Sequence, residues 1–223
     1  MCRRALTRNI RKIPPSPEIA AKYMLFWAQG DLYAHPEQFP ALTSAGIFGN
    51  DHPLELEVGC GTGEWLCSMA AANPHTNFVG VDNWTKVVYE AVKNAAETNV
   101  DNLKFIRAPF QFTHPRLMPD SLHAVYMHYP DPNIRGREGH KLFNQTFLDV
   151  IYPALIPGGR LHVVSDHIEF FEEMLTIVES DSRWHKTHTE RHLIGYEPEV
   201  KSRYQKLWEK HDVPPLRFEV TKE

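Results

Sequence analysis

Glu57-Val58-Gly59-Cys60-Gly61-Thr62-Gly63 sets a glycine at every second position directly after the alternating run Leu54-Glu55-Leu56-Glu57-Val58. Glycines so spaced let a backbone turn sharply and approach a ligand with no side chain between, and a helix starting after them offers its N-terminal amides. The pattern lacks the two residues between last glycines that a dinucleotide-binding turn needs, and it lacks the Gly-Lys-Ser/Thr ending of a phosphate loop. Asp82 follows Gly63 by 19 residues at the end of a short apolar run. In a parallel sheet that spacing puts its carboxylate beside the glycine turn, where it accepts hydrogen bonds from a ribose diol. Capping the next helix is the alternative role for Asp82.

A second constellation is Tyr129-Pro130-Asp131-Pro132-Asn133. Prolines on both sides restrict the Asp131 backbone and aim its carboxylate beyond a strand end, although proline and aspartate also build ordinary turns. Arg135, Arg137, His140 and Lys141 come directly after, which sets phosphate-binding charges beside a carboxylate able to read a base. Asp166 ends a later strand and adds a carboxylate to the same rim. No metal is expected: Cys60 and Cys67 lack ligand spacing. His185, His188 and His192 lie in a Thr-rich segment that reads as a strand, which would put His185 on a different face from the other two.

These groups need elements to hold them. The periodicity predicts a helix over 17–29, a Gly-, Pro- and Asn-rich loop to Pro53, then strands at 54–58 and 77–82 separated by a helix at 64–73. A helix at 85–99, strands at 102–108 and 122–130, a helix at about 140–155 and a turn at Pro157-Gly158-Gly159 follow. The series closes with a strand at 159–166, a helix at 168–180, and strands near 185–193 and 216–221. Alternating strands and helices predict an α/β, doubly wound sheet whose ligands sit beyond the carboxyl ends of the strands.

The bulk properties agree. The chain has 223 residues, 42% of them hydrophobic and 23% charged, enough for one globular domain with a core and too few for two. Residues 1–16 read as a basic, flexible arm with a proline-rich linker, and residues 17–223 as the domain. Arg3, Arg4, Arg8, Arg11 and Lys12 place five positive charges in the first twelve residues, while the remainder carries 19 basic against 28 acidic residues. Such an arm suits phosphate contacts. Three cysteines, no signal-like apolar stretch and no window long enough to span a bilayer point to the cytoplasm and away from a membrane.

Together LELEVGCGTGEW, VGVD, HYPDPN with its basic sequel, VVSDHIEF and LIGYEPE resemble the bacterial tRNA (guanine-N7)-methyltransferase family over about residues 54–200. The glycine turn by itself resembles motif I of class I methyltransferases that use S-adenosyl-L-methionine. The resemblance implies a Rossmann-like class I methyltransferase domain, that methyl donor as cofactor, and tRNA as partner, the family target being guanine 46 of the variable loop. It implies donor binding by Glu57, Gly59, Gly61, Gly63 and Asp82, with Pro109 at the position that meets adenine. Asp131 becomes the catalytic residue, and Arg135, Arg137, Lys141, Asp166 and Glu197 join it in binding substrate. A monomer or weak homodimer is expected.

The chain departs from the family's pattern at Asn133, where the family has Trp, at Ile194, where it has Thr, at Pro109, where an acid or amide is usual, and in its thinner basic run. With Pro109 in place, adenine must be recognised by backbone groups or by Gln111. Trp84, Tyr129 and Tyr196 are stacking candidates whose default place is the buried core. A methyltransferase acting on a small molecule or another RNA, and a non-catalytic RNA-binding subunit on the same scaffold, are the rival readings.

Overall fold

A computed structural model describes residues 9–25, 29–132, 141–198, 200–202, 205–206 and 213–223. Among the described residues nine strands form one sheet: β1 (Met24–Leu25), β2 (Leu54–Val58), β3 (Asn77–Asp82), β4 (Leu103–Arg107), β5 (Leu122–His128), β6 (Leu155–Ser165), β7 (Trp184–Lys186), β8 (Leu193–Ile194) and β9 (Leu216–Lys222). Their order is β1-β4-β3-β2-β5-β6-β9-β7, with β8 also on β9. β1 to β6 pair in parallel, and β9 runs antiparallel to β6, β7 and β8. The chain moves outward from β2 to β4, then returns to β2's other side with β5. This reversal makes the carboxyl ends of β2 and its neighbours the crevice of the sheet.

The alternation seen in the sequence sets the two faces. Leu54, Leu56 and Val58 of β2 join Val79, Val81, Val125, Met127, Leu161 and Val163 in the larger core, which includes Phe147, Leu148 and Ile151 of helix Gln145–Ala154 and Phe170, Met174 and Leu175 of helix Ile168–Glu179. On the opposite face Phe78, Phe105 and Ala124 pack with helices Pro17–Tyr23, Glu64–Ala72 and Thr85–Thr98. Farther along that face the character changes. Register places Glu57 beside Tyr126, Tyr126 beside His162 and His162 beside Glu219, so polar residues line up where core would be expected.

Four local expectations need correction. The helix from Pro17 stops at Tyr23, because Met24 and Leu25 pair with Phe105 and Ile106 at the open edge of β4. The supposed loop to Pro53 carries helices Gln29–Ala34 and Ser44–Phe48 and a short 3-10 turn at Pro36–Gln38. Leu32 and Leu42 are each 1% exposed there, so burial outweighs the glycines and prolines that argued for loop. Pro157-Gly158-Gly159 lies within β6: between the pairs Leu122–Leu155 and Ala124–Arg160 the strand bulges outward through Gly158 at φ 75°. The Thr-rich histidine segment is strand only to Lys186.

Candidate functional site

A cleft of about 450 Å³ opens at the carboxyl ends of β2, β3 and β4. Val58 and Gly59 line it from β2, Asp82, Asn83 and Trp84 from β3, and Ala108, Pro109, Phe110 and Gln111 from β4. Lys141, Leu142 and Asn144 form its other wall.

Gly59, at φ 84°, turns the chain out of β2 while its amide and that of Cys60 both donate to the Val81 carbonyl. Asp82, 9% exposed, reaches back to this turn: Oδ2 accepts from the Gly61 amide at 3.2 Å and Oδ1 from the Trp84 amide at 2.9 Å. Gly61 (φ 58°) has open space where a Cβ would stand, whereas a Cβ on Gly63 (φ 72°) would meet Phe105 Cζ at 2.8 Å. Gly63 thus serves packing under the helix it starts. The Cys60 and Cys67 thiols are core groups, and burial pushes the latter up to about 12, far from a reactive thiolate.

Glu57, two residues before Gly59, points to the other face and is 4% exposed, behind the floor of the cleft. Its Oε1 lies 3.4 Å from His128 Nδ1, and His128 Nε2 lies 3.0 Å from His162 Nδ1. Burial holds His128 down to about 3 and His162 well below its usual value. Both rings are therefore neutral. Nδ1 of His128 faces a carboxylate that only accepts, and its Nε2 faces His162 Nδ1, where one ring must donate and the other accept. Trp65 packs on His128 with ring centroids 4.5 Å apart, and Tyr196 covers both imidazoles at 5.4 and 5.3 Å. Sequence reasoning missed these histidines. The signal was present: Tyr126 and His128 share a strand parity in line with Glu55 and Glu57, polar residues in a strand with apolar residues between them.

Asp131 is exposed beyond β5. Tyr129 adopts φ 51° and is 3% exposed, and its amide donates to Val164 O at 2.7 Å. A tyrosine in the left-handed region costs on the order of 1–2 kcal/mol, which its burial sustains. That bond continues the β5–β6 pairing past β5, bringing Asp131 to the same rim as half-buried Asp166, the first residue after β6. Lys141 lines the cleft with its ammonium on Glu173. Glu197 is exposed and pairs with Lys201 at 2.7 Å, away from the cleft lining. Arg135, Arg137, His140 and Asn133 lie outside the described residues. Trp84, expected in the core, is instead 51% exposed at the cleft, while Tyr129 is buried and Tyr196 half-buried. Among the described residues no cluster of histidine, cysteine, aspartate and glutamate could hold a metal ion, and no helix is long and apolar enough to cross a membrane.

Residues 51–216 match the model of the family described as "Putative methyltransferase". Over all 223 residues, and the whole of the relative, the chain is 44% identical to a tRNA (guanine-N(7)-)-methyltransferase of Rubrobacter xylanophilus. It belongs to the tRNA (guanine-N(7)-)-methyltransferase family. A relative of the same name from Chloroherpeton thalassium is 35% identical over 94% of this chain and 93% of its own. Among solved structures, an antibiotic-related methyltransferase superposes with a TM-score of 0.57 at 15% identity, covering 88% of this chain and 94% of its own. The 16S rRNA methyltransferase KamB gives 0.56 at 17% identity, covering 77% and 88%. At such identities these likenesses describe the fold, which is the Rossmann-like class I methyltransferase fold. Membership in the tRNA (guanine-N(7)-)-methyltransferase family makes the chain an enzyme of methyl transfer.

Proposed function

We propose that this enzyme transfers a methyl group from S-adenosylmethionine to N7 of a guanine in tRNA, at guanine 46 of the variable loop, and that it works in the cytoplasm. One observation carries the reading: a nucleoside-sized cleft joins a glycine turn to the Asp82 carboxylate on the same rim of the sheet as Asp131. The residues fit the donor. A volume near 450 Å³ is in the range of small-molecule sites, Gly59 lines it without a side chain, Gly61 has open space where a Cβ would stand, and Asp82 offers acceptors to a ribose diol. Pro109 and Gln111 flank the position for adenine. Bound there, the donor supplies an electrophilic methyl group on a sulfonium.

Guanine N7 has an in-plane lone pair, so no residue must remove a proton to create the nucleophile, and positioning supplies most of the catalysis. Asp131 accepts hydrogen bonds from the N1 and N2 donors of guanine. Methylation makes these donors more acidic, so the contact strengthens as charge develops. Glu57 supplies a fixed negative charge toward the cationic end of the donor. Lys141, with Arg135 and Arg137, holds phosphates, and Asp166 and Glu197 complete the substrate rim.

Incubation with labelled S-adenosylmethionine and bulk tRNA, followed by nucleoside analysis, should give 7-methylguanosine at position 46. Asp131→Asn should lower single-turnover methylation about a hundredfold to a thousandfold while donor binding survives. A wild-type rate in that variant removes Asp131 from the mechanism. A wild type inert on every tRNA points to a small-molecule substrate.

A further inference from the structure

We propose that His128, held in one tautomer by His162, is the positioning residue for the Glu57 carboxylate and so sets the enzyme's affinity for its methyl donor. The inference rests on the reading above, in which the Glu57 charge acts on the cationic end of that donor from behind the cleft floor.

Four observations combine. Glu57 and His128 side chains are each 5% exposed and only 3.4 Å apart, so the contact is shielded from water. The His128 ring cannot turn away: Trp65, Tyr126, His162 and Tyr196 surround it with centroids between 4.5 and 5.6 Å. Nδ1 faces the carboxylate and Nε2 faces His162 at 3.0 Å, so a single proton on each ring satisfies the chain in one direction only. Glu57, His128 and His162 also sit on three adjacent strands, β2, β5 and β6, which fixes their spacing through the backbone ladder.

A carboxylate chiefly loses rotamer freedom and water when it binds a cation, and a neutral ring held against one oxygen lowers the first cost without cancelling the charge. A protonated histidine would cancel it. The low-dielectric setting that keeps the imidazoles neutral therefore lets His128 orient Glu57 and leave its charge available to the ligand. The same surroundings include the Cys60 and Cys67 thiols and the Tyr196 phenol, all raised chiefly by burial and to a lesser degree by the Glu57 charge, and hence neutral beside it.

Calorimetric titration with S-adenosylmethionine decides the matter on four variants, with melting temperature and tRNA affinity measured in parallel. His128→Phe keeps an aromatic ring and removes the donor; affinity should fall about tenfold. His128→Asn places an amide N–H at the same δ position and should recover most of that loss, a rescue that a merely space-filling role would not produce. His162→Leu, which frees the tautomer, should weaken binding in the same direction by about threefold to fivefold. Should His128→Phe fail to fold, the His162→Leu result is decisive in its place, wild-type affinity overturning the proposal. Glu57→Gln separates the two levels. If it weakens binding while His128→Phe binds normally, the positioning role is wrong and the Glu57 reading stands. If Glu57→Gln binds as wild type, both are overturned.

Discussion

The amide of Gly61 donates to Asp82 Oδ2 at 3.2 Å, across the gap between two neighbouring strand ends. The same carboxylate takes the Trp84 amide through Oδ1 at 2.9 Å. One side chain thus clasps the glycine turn to the loop after β3, and the ligand-facing and helix-leading roles weighed for Asp82 are compatible in geometry. Charge-assisted bonds to amides are worth more than neutral ones, and both disappear together if the carboxylate goes.

Asp82→Ala should therefore weaken S-adenosylmethionine binding by roughly 1.5–3 kcal/mol and lower the melting temperature by a few degrees. Asp82→Asn should fall between. Calorimetry on a folded Asp82→Ala protein that shows unchanged affinity would place the ribose elsewhere.

Gly61 and Gly63 look alike in sequence and should behave differently. Alanine at either meets a left-handed backbone, a strain of about 1 kcal/mol. Only at Gly63 does it also press within 2.8 Å of Phe105 and 3.0 Å of Ala91, so overpacking adds about 1–3 kcal/mol. Urea unfolding should rank Gly63→Ala well below Gly61→Ala in stability; equal losses would mean that the Phe105 ring yields without cost.

Acid should weaken the fold early. An unfolded histidine takes up a proton near pH 6.5, whereas folded His128 resists until about pH 3 and His162 is depressed in the same direction. Their contribution is whole above pH 6.5 and is lost as pH falls, by up to about 1.4 kcal/mol per pH unit for each proton. Unfolding free energies at pH 7, 6 and 5 should trace that slope, and the double variant His128→Asn, His162→Asn should flatten it. A wild-type curve flat from pH 7 to 5 would contradict the burial of both rings as neutral groups.

Salt should separate the arm from the domain in RNA binding. Ile10 is 9% exposed, so the chain is already docked there, and deletion of residues 1–8 removes Arg3, Arg4 and Arg8 without disturbing that packing. The slope of log tRNA affinity against log salt should become shallower, by up to about 0.9 for each phosphate that the shortened chain leaves unneutralised. An identical slope in the truncated protein would mean that those arginines stay in solvent.

The strand–turn–helix skeleton was legible because its signals are local. Leu54–Val58, Asn77–Asp82, the Gly59-x-Gly61-x-Gly63 turn and helix Thr85–Thr98 each carry period and punctuation within a few residues. Helix Ser44–Phe48 was not, since its stability lies in Thr43 accepting the Gly46 amide and in a neighbouring Leu42 buried by distant parts of the chain. The exposure of Trp84 depends on where the wall around Lys141 and Leu142 stands, and the Glu57–His128–His162 line exists only once β2, β5 and β6 are in register. Side chains that meet across 71 or 34 residues leave no mark on spacing.

The position of β9 has a consequence for how the molecule is made. Leu216–Lys222 inserts between β6 and β7 and also carries β8, so Trp184–Lys186 and Leu193–Ile194 are synthesised well before the strand they hydrogen-bond to. Until Leu216–Lys222 docks, the far side of β6 is a bare edge. An uncovered edge of that kind recruits other chains.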